Sequence, residues 1–379
     1  MKNKLRILKA KLRANITNSK GWKTSRKLLV IESDDWGSIR MPSKEVFNRF
    51  VKKGYDIENS LYNRFDSLAS EDDLNYLFET LGNFNDINGN PLNITANTIV
   101  ANPDFKQIKA TNFQNFFYEP FTETLQKYPK HQRSFDLWKE GIQENMFFPQ
   151  FHGREHLNIK LWMNELQSRD EVLRFTFDQN TTYSGKSDYS FMEAFDNKKN
   201  SIENHKLIIK DGLESFQKIF GYKSKSFIAP CHVWHSDLNK TLHENGIDYI
   251  QGSRIQLEPT EEHFEYNQIP HFLGEENDYG QLYLVRNVTF EPSSVDGMDW
   301  IKYALAQIET AFAWGKPAII SSHRVNYIGF LDEKNRNKNL KLLSELINKV
   351  QKKWPEVEFL SSDQLGDIIK LSKNAQRTN

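Results

Sequence analysis

Residues 30–38 read VIESDDWGS, and two adjacent aspartates, Asp34 and Asp35, follow an apolar run that begins at Leu28. The run Leu28–Ile31 has the composition of a buried strand. A carboxylate pair at the end of such a strand is costly unless a cation or a shared proton compensates it. What the rest of the chain can bring to that point decides both the fold and the chemistry.

Outward from this segment, short apolar runs alternate with longer helical patterns, the signature of a parallel α/β sheet or barrel. Strands are expected at 27–33, 92–96, 146–151, 173–177, 226–229, 249–252, 282–288, 318–322 and 357–360. Helices are expected at 70–84, 158–167, 204–220, 237–245, 298–314 and 333–353, with Gly221 and Gly246 as C-terminal punctuation. Two polar, aromatic stretches, 40–69 and 103–145, interrupt the alternation and read as insertions, the second as an appended helical unit. No Gly/Ser/Pro linker divides the chain, so 27–373 is expected to form a single domain.

Basic and acidic residues balance at 50 each, so no global field favours nucleic acid. Cys231 is the only cysteine, which excludes an internal disulfide. No apolar stretch approaches the ~20 residues needed to span a bilayer. Residues 1–27 hold ten Lys/Arg and no acid, without the apolar region of a signal peptide, and a cytoplasmic location is expected. Leu5, Leu8, Leu12 and Ile16 recur there at helical spacing. Residues 1–26 therefore read either as a solvated basic tail or as an amphipathic helix, whose first 20 residues would touch the anionic inner face of a membrane.

Three further segments carry chemistry. FHGREH, 151–156, sets His152 and His156 four apart, a spacing that on a helical turn directs both imidazoles at one metal. FIAPCHVWH, 227–235, runs from a strand into a turn with Pro230, His232, Trp234 and His235. AIISSHRVNYIG, 318–329, delivers His323 and Arg324 at the end of an apolar strand. Each feature has an ordinary alternative: a turn for the aspartates, a solvated helical pair for the histidines, a core site for His323, packing for Trp36 and Trp234, rim ion pairs for Arg154 and Arg324. Their common position just past expected strands is what tells against those alternatives, because active sites of parallel α/β folds gather at strand C-termini. The set supplies a carboxylate and two imidazoles for a divalent metal, a spare carboxylate and a further histidine, the inventory for hydrolysis by activated water.

In that order, LLVIESDDWGS, HGREH, APCHVWH and IISSHR resemble the polysaccharide deacetylases, the NodB-homology carbohydrate esterases. VEFLSSDQLGDII is similar to their closing strand and helix, so the resemblance spans about 27–371. It implies an α/β fold, an incomplete (β/α) barrel with large insertions, and a bound divalent metal, usually zinc. It implies Asp34 as catalytic base, Asp35, His152 and His156 as metal ligands, and His323 as acid. Trp36, Pro230, His232, Trp234 and Arg324 fall where substrate would bind. The chain departs from the family pattern at Trp36, where glycine is usual, and at Gly153, where Ser/Thr is usual. At the position of the arginine that partners the base it has Ile228. The implied activity is removal of an acetyl group, as amide or ester, from a polysaccharide or from a lipid- or nucleotide-linked sugar precursor.

Two other readings use the same residues. One is a catalytically degenerate barrel that binds carbohydrate or acts as a scaffold, which the three departures favour. The other is an inverzincin-like metalloprotease in which HGREH lies on a helix and Glu155 is the general base. The proline in the preceding FFPQF and the unexplained aspartate pair weigh against it.

Overall fold

A computed structural model describes residues 2–186, 189–196 and 201–377. The fold is an incomplete (β/α) barrel, and all pairings in its nine-stranded sheet are parallel. Its strands are β1 (Leu28–Trp36), β2 (Ile94–Ile99), β3 (Phe147–Gly153), β4 (Ser226–Phe227), β5 (Tyr249–Gly252), β6 (Leu282–Val285), β7 (Val288–Thr289), β8 (Ala318–His323) and β9 (Glu358–Leu360). The order across the sheet is β6-β5-β4-β3-β2-β1-β8-β7, with β9 on the first half of β1. The two edge strands β6 and β7 are consecutive in the chain. Arg286 bonds back to Gly252 through its N–H, and Asn287 donates to Ile319. The run expected as one strand, 282–288, therefore breaks at 286–287, where the chain leaves β5 and joins β8. That two-residue seam joins the edges of the curled sheet.

β1 is buried along its whole length, as a near-continuous apolar run in a covered parallel sheet should be. Leu29 and Ile31 pack with Ala318, Ile320, Ile94 and Ala96 under the helices Glu71–Gly82, Trp300–Ala313 and Glu333–Lys353. Leu28 and Val30 pack with Tyr249, Leu284 and Ile319 against the C-terminal helix Ser362–Arg377. The helix Ile202–Phe220 ends as expected at Gly221, which takes φ 78°.

Residues 173–177 are not a strand. They lie in the helix Glu171–Asp178, capped by the Asp170 side chain, which accepts from the N–H of Leu173. Leu173, Thr176 and Phe177 are its buried residues, a helical spacing that β-rich composition disguised. The two insertions hold short helices and pack into three places. Phe121, Leu125, Leu137 and Trp138 join the main core, whereas Ile108 and Phe113 cover Trp162, Leu166 and Phe177. Met41, Phe47, Phe50 and Ile57 form a small cluster with Leu331. The stretch 103–145 is thus divided between two clusters and is not one appended unit.

Candidate active site

Side chains alternate between faces along a regular strand, so neighbouring aspartates should point in opposite directions. Here the alternation fails by one residue. Asp35 takes φ 74°, and the pairing of β1 with β2 shifts between Ser33 and Trp36. This bulge turns both carboxylates into one cavity and sends Trp36 back into the core. A left-handed backbone at a non-glycine residue is strained and persists only where its surroundings impose it.

Asp35 meets the histidines of the HGREH segment. Its Oδ1 lies 3.5 Å from His152 Nε2 and 3.3 Å from His156 Nε2, while Oδ2 accepts from Arg40 at 3.2 Å. Two ligands about 2.05 Å from one tetrahedral ion would lie about 3.4 Å apart. His152 Nδ1 is 2.9 Å from the Ile228 carbonyl, which can only accept, so Nδ1 donates there and the ring turns Nε2 toward Asp35. That buried Nε2 has no hydrogen-bond partner. Burial pushes His156 down to about 4 despite the nearby Asp35, leaving a neutral imidazole at ordinary pH. Burial opposes ionisation of Asp35, but Arg40 and the histidines outweigh it and hold the carboxyl well below its usual range. A carboxylate and two imidazole nitrogens this close together fit one divalent first-row metal. His152 lies in β3 and His156 in the loop beyond it, so the pair meets across an irregular turn and not on the helical turn expected.

Asp34 faces a second set. Arg286, at the barrel seam, donates to both its oxygens at 2.7 Å each and to Glu32 at 2.5 Å. Asn97 adds a 2.7 Å bond to Oδ1. Burial again opposes charge, yet Arg286 holds Asp34 far below the carboxylate range. The arginine missing at Ile228 is therefore supplied from another strand. His323, opposite Asp34 in the β1–β8 ladder, has Nε2 3.8 Å from Asp34 Oδ2 and Nδ1 2.6 Å from Glu291 Oε1. Glu291 is itself held by Asn326 at 2.6 Å. Burial disfavours the imidazolium, but Glu291 and Asp34 overcome it and raise His323 to about 10.

Asp34, Asp35, Arg40, His152, His156 and His323 line a cavity of about 440 Å³, together with His232, Cys231, Tyr62, Tyr183 and Tyr189. The other residues expected at substrate lie elsewhere. Trp36 is fully buried beside Phe147 and Trp138 and donates to Ser33. Arg324 is fully buried on Asp66 and the Ser38 carbonyl, Trp234 packs with Leu238 and Leu242, and Pro230 sits behind the cavity wall. Arg286 and Glu291 were absent from the expected set: Glu291 follows a strand run, where the positional rule applies, but Arg286 lay inside the run expected at 282–288 and only the break there places it at a strand end. Glu155 points away from the cavity onto Arg154 at 2.7 Å, and HGREH is not helical, so the inverzincin geometry is absent.

No family model matches the chain, and no curated protein matches it. Solved structures similar to it include a protein of Mycobacterium smegmatis assigned as a polysaccharide deacetylase: 12% identity, 93% of this chain and 94% of that one, TM-score 0.48. An allantoinase, Puue, gives 12% identity, 93% and 92% coverage and TM-score 0.43. A mutant of a CE4-family pseudoenzyme gives 9%, 90% and 67%, and TM-score 0.36. The fold assignment rests on the strand order and register of the chain itself.

Proposed function

We propose that this chain is a metal-dependent hydrolase of the polysaccharide deacetylase type, which removes an acetyl group from an N-acetylated glycan or a lipid- or nucleotide-linked sugar. The observation that carries this reading is the placement of a buried Asp35–His152–His156 group and an Asp34/His323 pair on one cavity. Asp35, His152 and His156 would hold a divalent metal, zinc by the resemblance, which would supply Lewis acidity toward water and a carbonyl oxygen. Asp34, ionised throughout the neutral range, accepts a proton from the attacking water. His323, held as imidazolium by Glu291, protonates the departing amine. After one turnover Asp34 holds a proton and His323 lacks one. At 3.8 Å they are too far apart for a direct hydrogen bond, so one bridging water would carry that proton from Asp34 to His323 and restore the starting state.

One feature favours the non-catalytic barrel: Arg286 and Asn97 together occupy both Asp34 oxygens, which weakens Asp34 as a base. Acetate release from N-acetylated oligosaccharides and sugar nucleotides, measured beside metal content, separates the two readings. Asp34→Asn should keep one equivalent of metal and lose at least about 100-fold in turnover, while His152→Ala should lose both. Wild-type protein that binds metal but releases no acetate from any such substrate would support the non-catalytic reading.

A further inference from the structure

The N-terminal helix Lys2–Asn18 is not a loose tail. It lies along the helix Trp300–Ala313, with Ala10 and Ala14 buried against the barrel. Its ends are fixed by polar contacts. Asn3 donates to the Gly297 carbonyl, Trp314 donates to Asn15, and Asn287 donates to Asn18. The small residues face inward, so the large apolar ones face out. Leu5, Leu8, Leu12 and Ile16 are 55, 64, 64 and 53% exposed, a stripe about 180° around the helix from Ala10 and Ala14.

Such a stripe normally faces a core, and here the core side is already taken by the opposite face. The charge around it identifies what covers it. At 3.6 residues per turn, Arg6, Lys9 and Arg13 flank one side of the stripe, and Lys11 falls on the other. Residues 1–27 hold ten basic residues and no acid, whereas the rest of the chain holds 40 basic and 50 acidic. Four apolar side chains with cations on both sides, on a strongly basic segment of a chain of zero net charge, are the recognition pattern of an anionic bilayer surface.

We propose that this helix is a docking surface for an anionic phospholipid bilayer, held in its docking geometry by the barrel. Because Asn3 bonds the loop that follows Glu291, the first turn of the helix lies at the end of the barrel that carries the cavity. The surface does not depend on the reaction proposed above and can fail separately from it.

The test is sedimentation of the full-length protein with vesicles of phosphatidylcholine alone or with 30% (about one lipid in three) phosphatidylglycerol, at low and high salt. Binding to the anionic vesicles should exceed binding to the neutral ones by about tenfold or more and should fall with salt. Leu8→Glu/Leu12→Glu, at two exposed positions that carry no packing, should abolish it with the fold intact by circular dichroism. Failure of the wild type to bind anionic vesicles overturns the proposal, as does binding that survives the double substitution. Sedimentation equilibrium on the lipid-free protein gives a third arm. A dimer that the double substitution dissociates, without vesicle binding, would make the stripe an interface between copies and also overturn the proposal.

Discussion

Arg286 carries the largest test of the structural account. It lies between two buried carboxylates, Glu32 and Asp34, and makes three charge-assisted bonds to them at 2.5, 2.7 and 2.7 Å. In Arg286→Met the volume is roughly kept and the charge is lost, leaving two buried acids without their shared guanidinium. Removing one partner of a buried pair costs about 3–5 kcal/mol, because the remaining charge is uncompensated. Urea unfolding at pH 7 should show a loss in that range.

The pH dependence distinguishes this cause from simple loss of packing. In the wild type Asp34 is depressed, so its contribution is present above the ordinary carboxylate range and is lost as pH falls through its folded value. Glu32 is already raised by burial, and Arg286 opposes that rise. Without the arginine both acids are raised in the folded state, which then binds more protons than the unfolded chain. As pH falls from 7 toward 5 the variant should gain stability relative to the wild type, so the gap between them should narrow. Adding Glu32→Gln and Asp34→Asn to the variant should recover at least about 2 kcal/mol at pH 7. A loss under about 1 kcal/mol, or a gap that is constant between pH 5 and 7, would refute the assignment.

Glu291→Gln should lower the pKa of His323 by more than about one unit in metal-free protein, read from its imidazole resonances. In the wild type the imidazolium contributes stability that is complete below its ordinary pKa and is lost as pH rises through about 10, so alkaline stability should fall off earlier in the variant. Trp36→Ala should cost about 3–5 kcal/mol in stability and leave the KM of any substrate within about twofold, since the ring fills core and not cavity. A raised KM with unchanged stability would return Trp36 to the substrate site.

The parts of the site legible in the sequence are those whose roles follow from a position along one strand. Asp34, Asp35, His152 and His323 each end an apolar run, and parallel topology brings such ends together. Parts that depend on local backbone geometry were harder to read. HGREH was read through its four-residue spacing, yet Gly153 at φ 135° and the irregular turn after it bring the two histidines together without a helix. Trp36 adjoins the aspartates in sequence, and only the bulge at Asp35 reveals that it faces the opposite way. For residues 173–177, the cap at Asp170 decided against a strand.

The replacement of one arginine by another shows why the remainder needed three dimensions. Ile228 lies just past β4, three strands from β1 on one side, whereas Arg286 lies at the seam between β6 and β7, two strands from β1 on the other. From a linear motif the cation appeared lost. What Asp34 requires is a guanidinium within reach of both its oxygens, and in a curled sheet several strand ends converge on that point. Because the requirement is for charge at a place and not at a position in the chain, a missing motif residue on one strand says little until the strand order is known. Here the closure of the barrel brings the charge back, in the short break between two edge strands where an arginine can turn inward without a ladder to maintain.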